Sequence, residues 1–293
     1  GGIELAQDAQ IKGKVEFVRA ERDALGKRTL PKDFGFEESL TGNSIVLTID
    51  KTIQYTAEKE LAEAVKKSGA KGGTAVVMDP RTGEVLAMAN YPQFNPNDLS
   101  SYSQGILKNR AIVDTYEPGS TFKVFLLAAA LEERVVKPED KIFCENGSME
   151  FAGKVIHDTH KHGTLTVREI MKVSSNIGAA KIAAKLGKER YYDYLTSFGF
   201  GSPTGVELKG EGSGILRSMK TWSKLELANV SFGQGVSATP LQLTSAFSAI
   251  ANGGYLMKPY LVKDILDKDG KVIKSNQPQI VKKVISAETA SKV

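Results

Sequence analysis

An uninterrupted apolar run over residues 124–131 constrains the fold more than any other segment of this chain. A helix that is apolar on every side is stable only when other elements surround it, so the run predicts a buried helix. The run is too short to cross a membrane, because a spanning helix needs about 20 apolar residues. Pro118 and Gly119 stand just before it and predict a helix from Ser120 to about Glu133. The 293 residues are enough to build a core around such a helix.

The remaining pattern favours an α+β fold, in which helices flank an antiparallel sheet. Residues 44–49 are β-branched and apolar, as in a strand, and helical spacing follows from the N-cap Asp50 to Gly69. Residues 74–78 and 84–88 flank a turn with Pro and Gly, which predicts a β-hairpin. No regular alternation of strands and helices follows. Further predictions are helices over residues 166–173, 177–186 and 239–251, a second hairpin turn over 267–270, and a helix that begins near residue 286.

Composition excludes several classes of protein. The fractions of hydrophobic residues (41%) and charged residues (25%) are those of a globular protein. The net charge of +5 is spread along the chain, without the dense basic stripe of a nucleic-acid-binding protein. Cys144, the sole cysteine, can form neither an internal disulfide nor a cysteine-ligated zinc site.

Three histidines lie close together along the chain: His157, His160 and His162. Their spacing fits no metal motif, so a solvated loop is favoured and no metal or cofactor is predicted.

Ser120 and Lys123 carry the strongest indication of chemistry. A hydroxyl in the first turn of a helix lies near free backbone N–H groups and the positive end of the dipole, which favour a developing oxyanion. Lys123 follows on the same face of the helix. Burial lowers the pKa of an amine, so a buried Lys123 can be neutral and can accept the proton of Ser120. The same pattern at Ser68 and Lys71 lies at a glycine-rich helix end and is interpreted as fortuitous. The alternative for Ser120 and Lys123 is a structural N-cap beside a lysine whose amine reaches solvent.

A second polar group follows at Ser174-Ser175-Asn176, between two predicted helices. The hydroxyl of Ser174 is suited to relaying a proton, and the carboxamide of Asn176 is suited to holding a substrate amide. By themselves, Ser and Asn between helices more often act as ordinary caps. Their position after Ser120 and Lys123 favours the catalytic interpretation of all four residues.

These segments together resemble the penicilloyl-serine transferases, and among them the class B penicillin-binding proteins. The likeness rests on residues 79–88 (DPRTGEVLAM), 117–123 (EPGSTFK), 174–176 (SSN) and 231–235 (SFGQG), and runs from about residue 44 to at least residue 262. Class B penicillin-binding proteins are monofunctional D,D-transpeptidases of septal, elongation or spore cell-wall synthesis. The resemblance implies their fold, in which helices flank an antiparallel sheet as in the serine β-lactamases.

The resemblance also implies a role for each candidate residue. Ser120 would be acylated by the penultimate D-Ala of a stem peptide, with Lys123 as the base, Ser174 as the proton relay and Asn176 as a peptide-binding group. The implied partners are peptidoglycan stem peptides, β-lactam antibiotics that acylate Ser120, and other cell-wall synthesis proteins such as a glycosyltransferase. Two alternatives stay open: a serine β-lactamase or D,D-carboxypeptidase, and a non-catalytic penicillin-binding scaffold or sensor.

The resemblance further predicts the domain organisation. Residues 1–43 resemble the end of a non-catalytic pedestal domain with its linker, and residues 44–293 resemble the transpeptidase domain. Within the first segment, residues 14–19 alternate like a strand, residues 23–26 are typical of a turn, and residues 31–42 are typical of a linker.

The family's third motif, Lys-Thr-Gly or Lys-Ser-Gly, does not follow Asn176 in this sequence. The triplet Lys67-Ser68-Gly69 precedes Ser120 and closes a predicted helix, so it is not assigned to the motif. We therefore expect the domain to lack its C-terminal part and the 293 residues alone to be inactive. We also expect the catalytic domain on the extracytoplasmic side of the bacterial cytoplasmic membrane, with a membrane anchor upstream of Gly1.

Overall fold

The computed structural model describes residues 2–13, 21–22, 28–29, 42–95, 97 and 107–293. The chain forms two compact units, and the candidate site lies in the second. The strand, the turn and nearly all of the linker predicted within residues 14–42 lie outside the described residues. The first unit comprises Gly1–Thr48, Glu207–Lys209 and Tyr260–Gln277, and the second comprises Ile49–Val206, Gly210–Pro259 and Pro278–Val293.

The long helices begin and end close to the predicted residues. Asp50 accepts hydrogen bonds of 2.9 Å from the N–H groups of Thr52 and Ile53, and Gly69 ends the same helix in the left-handed conformation. The helices are α1 (Gly2–Ala6), α2 (Asp8–Ile11), α3 (Lys51–Ser68), α4 (Arg110–Val113), α5 (Lys123–Glu132), α6 (Val167–Val173), α7 (Asn176–Leu186), α8 (Lys188–Ser197), α9 (Lys224–Ser231), α10 (Pro240–Ala251) and α11 (Ala287–Lys292).

The described strands pair in antiparallel fashion. In the first unit, β1 (Glu21–Arg22) pairs with β2 (Arg28–Thr29), and β11 (Val262–Leu266) lies between β3 (Ser44–Leu47) and β12 (Val272–Ser275). In the second unit, the pairs are β4 (Gly73–Met78) with β5 (Val85–Tyr91), β6 (Lys141–Phe143) with β9 (Thr164–Thr166), β7 (Ser148–Phe151) with β8 (Lys154–His157), and β10 (Tyr255–Met257) with β13 (Ile280–Lys283).

Both predicted hairpins are confirmed, since β4 pairs with β5 and β11 pairs with β12. Several short elements, including β6 to β9, α8 and α9, were not predicted. These strands have only three or four residues, and their exposed positions include Phe143 and Val155 as well as polar side chains, so no clear local pattern marks them and they depend on packing.

The predicted buried helix is confirmed, although it does not begin as an α-helix. Residues Gly119–Phe122 form a 3-10 turn that contains Ser120, and α5 begins at Lys123. A helix end often tightens in this way, because i→i+3 bonds satisfy groups that have no α-helical partner. Ser120 therefore lies outside the α-helix, in the turn that directly precedes it.

The core of the second unit surrounds α5, which packs against α7 and α8. Phe122 and Phe125 are fully buried, and their ring centroids lie 4.7 and 5.0 Å from that of Phe200. Tilted and edge-on contacts of this kind are favourable for aromatic rings. The result is an apolar environment around the start of α5. Within the described part of the chain, no helix has both the length and the apolar character of a membrane span.

Candidate active site

Ser120 is presented by a tight turn that a second segment of the same unit supports. Tyr116 and Ala238 exchange two backbone hydrogen bonds of 3.1 Å. The N–H of Gly119 donates a further bond of 3.1 Å to the carbonyl of Gly233. The backbone on the N-terminal side of Ser120 is therefore held from the segment between Gly233 and Ala238.

Lys123 is the centre of the site, and its side chain is almost completely buried, with 1% of its surface exposed. Its Nζ lies 3.2 Å from Oγ of Ser120 and 2.9 Å from Oγ of Ser174. It also lies 2.6 Å from the carbonyl oxygen of Ser174 and 2.8 Å from Oδ1 of Asn176. The structure thus brings together all four residues that the sequence analysis selected.

The partners of Lys123 differ in what they can offer to the amine. The carbonyl of Ser174 can only accept, and so can Oδ1 of Asn176, while Nδ2 of the same carboxamide donates to the carbonyl of His157 at 3.0 Å. A neutral amine has two hydrogens and one lone pair. If the two obligate acceptors take the hydrogens, the lone pair is left for a hydroxyl proton, from Ser120 or Ser174. The arrangement therefore suits a neutral Lys123 that accepts a proton.

Burial lowers the pKa of the Lys123 amine to about 8. The physical cause is that an apolar environment disfavours the charged form of an amine. The negative charge of Asp158 acts in the opposite direction and raises the pKa. Burial is the larger effect, and with a pKa of about 8 roughly a tenth of Lys123 is neutral at pH 7, far more than for an exposed lysine.

Ser174 and Asn176 are positioned by the junction of two helices. Helix α6 ends at Val173, and its C-cap, Ser174, has a left-handed backbone with φ of +58°. The next residue, Ser175, is the N-cap of α7, and its Oγ accepts a bond of 2.9 Å from the N–H of Gly178. Asn176 is therefore the first residue of α7 rather than part of a loop. The sharp reversal at Ser174 allows its carbonyl and its hydroxyl to reach the same amine.

Asp158 is a residue of the site that the sequence analysis missed. Its carboxylate accepts bonds of 2.6 Å from Oγ of Ser175, 2.6 Å from the N–H of Asn176 and 3.0 Å from the N–H of Ile177. A negative charge is favourable at the start of a helix, where N–H groups lack intrahelical partners. Asp158 lies on a segment far from α7 along the chain, so local spacing gave no signal for this role.

The neighbouring histidines do not form a metal centre in the structure. His157 ends β8 and contributes its backbone carbonyl to Asn176, and the rings of His160 and His162 lie 6.5 Å apart. Within the residues that the structure describes, no three His, Cys, Asp or Glu side chains are placed to hold a metal ion.

Gly233 explains the turn before Ser120 in steric terms. Its φ is +78°, and a Cβ at this position would lie 2.1 Å from the carbonyl oxygen of Gly119. Real Cβ atoms do not approach backbone atoms so closely, so only glycine fits. The backbones of Gly233 and Gly119 therefore lie in close contact. At Gly235, with φ of +71°, a Cβ would meet nothing within 4 Å, and the N–H donates to Oε1 of Glu117 at 2.8 Å.

The second Ser-x-x-Lys pattern lies elsewhere and has no comparable geometry. Ser68 is the last residue of α3, and its Oγ donates to the carbonyl of Val65 at 3.2 Å. Lys71 is exposed beyond the end of that helix. Burial therefore distinguishes the two patterns: Lys123 lies inside the core and Lys71 lies in solvent.

Comparison with protein families gives a match over most of the chain. The model of the penicillin binding protein transpeptidase domain matches residues 73–293. Stage V sporulation protein D of Bacillus subtilis is 38% identical over 296 residues, which cover 100% of this chain and 46% of that protein. The probable peptidoglycan D,D-transpeptidase PenA of Neisseria flavescens is 33% identical over 301 residues, covering 100% of this chain and 70% of that protein. The chain thus spans less than half the length of the Bacillus relative.

Solved structures give a consistent result. Penicillin binding protein 3 of Mycobacterium tuberculosis, complexed with ampicillin, superposes with a TM-score of 0.81 at 31% identity. The match covers 98% of this chain and 65% of that one. The predicted α+β fold is confirmed by this likeness. The assignment of residues 1–43 to a pedestal domain stays a prediction.

We predict that Gly233→Ala disrupts the site more than Gly235→Ala. Both substitutions place Ala at a positive φ, which costs about 1–2 kcal/mol, but the Cβ at Gly233 also meets the carbonyl of Gly119. The larger loss of stability at Gly233 should appear as a lower midpoint of urea unfolding. Equal midpoints for the two variants would contradict this explanation of the turn.

We also predict that Asp158→Ala lowers the free energy of unfolding by about 1–3 kcal/mol, because two backbone N–H groups and one hydroxyl lose their acceptor. The matched control is Glu150→Ala, which removes an exposed carboxylate from the adjacent strand and should change stability by less than about 0.5 kcal/mol. Urea unfolding measures both variants. If Asp158→Ala loses no more stability than Glu150→Ala, Asp158 does not have the structural role assigned to it.

Proposed function

Since the chain belongs to the penicillin-binding protein transpeptidase domain family, we propose that it provides the acyl-transfer site of a peptidoglycan D,D-transpeptidase. The observation that carries the proposal is the buried amine of Lys123 beside the hydroxyls of Ser120 and Ser174. A serine hydroxyl becomes an effective nucleophile when an adjacent neutral base takes its proton. The PenA relative, named a probable peptidoglycan D,D-transpeptidase, supports the choice of reaction.

The first transfer forms an acyl-enzyme. Oγ of Ser120 attacks the carbonyl carbon of the penultimate D-Ala while its proton passes to Nζ of Lys123. The bond to the terminal D-Ala then breaks, and the departing amine takes a proton that returns from Lys123 through Oγ of Ser174. Terminal D-Ala leaves, and the rest of the stem peptide stays esterified to Ser120. Asn176 holds the amide of the stem peptide during this step.

The second transfer forms the cross-link. The amino group of a neighbouring strand attacks the ester carbonyl and gives up a proton to the Ser174 and Lys123 pair. The bond between the acyl group and Oγ of Ser120 breaks, and the serine oxygen regains a proton. Every proton in the cycle moves between groups that lie within 3.2 Å of Nζ of Lys123 or on the substrates themselves. No metal or organic cofactor takes part in these steps as proposed.

β-Lactams are expected to acylate the same Ser120, since they resemble the D-Ala-D-Ala end of the donor. Support comes from the Mycobacterium tuberculosis relative, whose structure was solved in complex with ampicillin. Stem peptides lie outside the cytoplasmic membrane, so we place the site on the extracytoplasmic side. A glycosyltransferase is the expected partner, because cross-links join glycan strands that such an enzyme polymerises.

We predict that Ser120→Ala abolishes labelling by a fluorescent penicillin, because the attacking oxygen is lost. Ser68→Ala is the matched control, since it alters the other Ser-x-x-Lys pattern at the exposed end of α3, and it should label normally. The measurement is in-gel fluorescence of the protein that contains residues 1–293. Persistent labelling of Ser120→Ala would overturn the choice of nucleophile. Rapid loss of the label from the wild-type protein would indicate a hydrolase instead of a transpeptidase.

The pH dependence of acylation should report the Lys123 amine. Since burial lowers the pKa of Lys123 to about 8, the neutral base is scarce at low pH and abundant at high pH. We expect the second-order acylation rate to rise about tenfold from pH 6 to 7 and to level off above about pH 9. Stopped-flow measurement with a chromogenic β-lactam gives this profile.

The pH profile of acylation, measured in Asp158→Asn, tests the direction in which the charge of Asp158 shifts the pKa of Lys123. The charge of Asp158 raises the pKa of Lys123, so its removal should move the profile to lower pH. Glu150→Gln, on the exposed side of β7, is the control and should leave the profile in place. A profile that is flat between pH 6 and 9, or that moves to higher pH in Asp158→Asn, would contradict the role of Lys123 as a base.

A further inference from the structure

A cavity of about 230 Å³ lies in the second unit, and none of the residues that contact Lys123 lines it. The exposed residues of its lining surround the mouth and include Val281 and Lys282 of β13. The buried residues form the inner wall: Phe198, which follows α8, Gln242 and Ser245 of α10, and Leu256 and Met257 of β10. The cavity therefore opens to solvent beside β13.

The inner wall presents apolar side chains of three kinds. Phe198, Leu256 and Met257 contribute an aromatic ring, a branched aliphatic chain and a thioether, and all three are buried. An apolar cavity of about 150 Å³ stays free of water and binds benzene. A larger cavity with this lining is therefore suited to a hydrocarbon group.

The polar side chains of the inner wall are already engaged by the protein. Nε2 of Gln242 donates to the carbonyls of Ser202 and Ser213 at 2.7 and 2.8 Å. Oε1 of Gln242 belongs to the capping box of α10. Oγ of Ser245 donates to Sδ of Met78 at 3.9 Å. Since these groups have partners, the inner wall offers a ligand apolar contact rather than free hydrogen-bonding groups.

A break in the pairing of β10 with β13 lies at the mouth of the cavity. Leu256 of β10 pairs with Lys282 of β13. The next residue, Met257, pairs with Ile280, so Val281 is an extra residue without a partner in the register. Bulges of this kind redirect a side chain. Val281 lines the cavity and is 57% exposed, so the mouth carries an apolar side chain that the protein itself leaves uncovered.

The mouth also carries a positive charge. Nζ of Lys282 donates to Oγ of Ser197 at 2.8 Å, and both residues line the cavity. An ammonium group has three hydrogens, so two are left for another acceptor. None of the described residues that line the cavity is a carboxylate. An acceptor for Lys282 at this mouth is therefore supplied from outside the lining.

We propose that this cavity binds a single-chain fatty acid, with the hydrocarbon chain inside and the carboxylate at Lys282. The apolar wall and the cation at the mouth match the two ends of such a molecule. On the scale of benzene in about 150 Å³, the cavity holds one chain of about eight carbons. It has no room for the two chains of a phospholipid. The site does not depend on acyl transfer at Ser120, since the two share no residue.

The test compares octanoate, hexanoate and octan-1-ol as ligands of the protein that contains residues 1–293. Ligand-observed NMR titrations give the three dissociation constants. We expect octanoate to bind about tenfold more tightly than hexanoate, because two buried methylene groups are lost. It should bind about threefold more tightly than octan-1-ol, because an exposed ion pair adds only a modest amount. Equal affinities for octanoate and hexanoate would overturn the proposal.

The position of the carboxylate is tested by two neighbouring lysines. Lys282→Ala should remove the preference for octanoate over octan-1-ol. The matched control is Lys283→Ala, which removes the adjacent amine that lies over the ring of Tyr255 and does not line the cavity. This variant should keep the preference. A preference that survives in Lys282→Ala, or that is lost equally in both variants, would contradict the role of Lys282.

The position of the chain is tested by narrowing the mouth. Val281→Trp places an indole at the opening and should weaken octanoate binding at least about tenfold. The matched control is Val272→Trp, which adds the same ring to an exposed position of β12 and should leave the affinity unchanged. Undiminished binding in Val281→Trp would place octanoate elsewhere on the protein. Thermal unfolding of each variant shows whether a changed affinity arises from misfolding, and the comparison of chain lengths on the wild-type protein needs no variant.

Discussion

The buried amine of Lys123 is the interaction on which the rest of the site depends. An isolated ammonium group in an apolar environment is unfavourable, and the amine either loses its proton or finds acceptors. Here both occur to a degree: burial lowers the pKa to about 8, while the carbonyl of Ser174 and Oδ1 of Asn176 accept hydrogen bonds from Nζ. These hydrogen bonds stabilise the buried amine, and they also orient Nζ of Lys123 towards Ser120.

The groups around Lys123 are held in place by contacts from three backbone segments. Ser174 has a left-handed backbone because α6 must end and α7 must begin within two residues. Asp158 fastens the start of α7 by accepting from the N–H groups of Asn176 and Ile177. On the opposite side, Gly233 allows the backbone before Ser120 to approach closely enough for a hydrogen bond. Three separate backbone segments therefore produce the geometry around Lys123. Each segment is held in place by its own contacts.

Much of the fold was predictable because its signals are local. Asp50 and Gly69 delimit α3, and the alternation of residues 74–78 and 84–88 predicts β4 and β5. The short strands β6 to β9 gave no such signal, because their stability comes from pairing and packing with distant residues. The same reason explains the 3-10 turn at Ser120, which the sequence analysis took as the first turn of an α-helix. Its geometry depends on Gly233, more than a hundred residues further along the chain.

The sequence by itself determined the identities and order of Ser120, Lys123, Ser174 and Asn176, and the apolar run that buries the second of them. These are properties of residue type and spacing, which do not change when the chain folds. The tertiary structure alone decided that Asp158 supports Asn176, and that Gly233 lies against the turn before Ser120. The physical reason is that hydrogen bonds and electrostatic effects act over a few ångströms of space, whatever the separation along the chain.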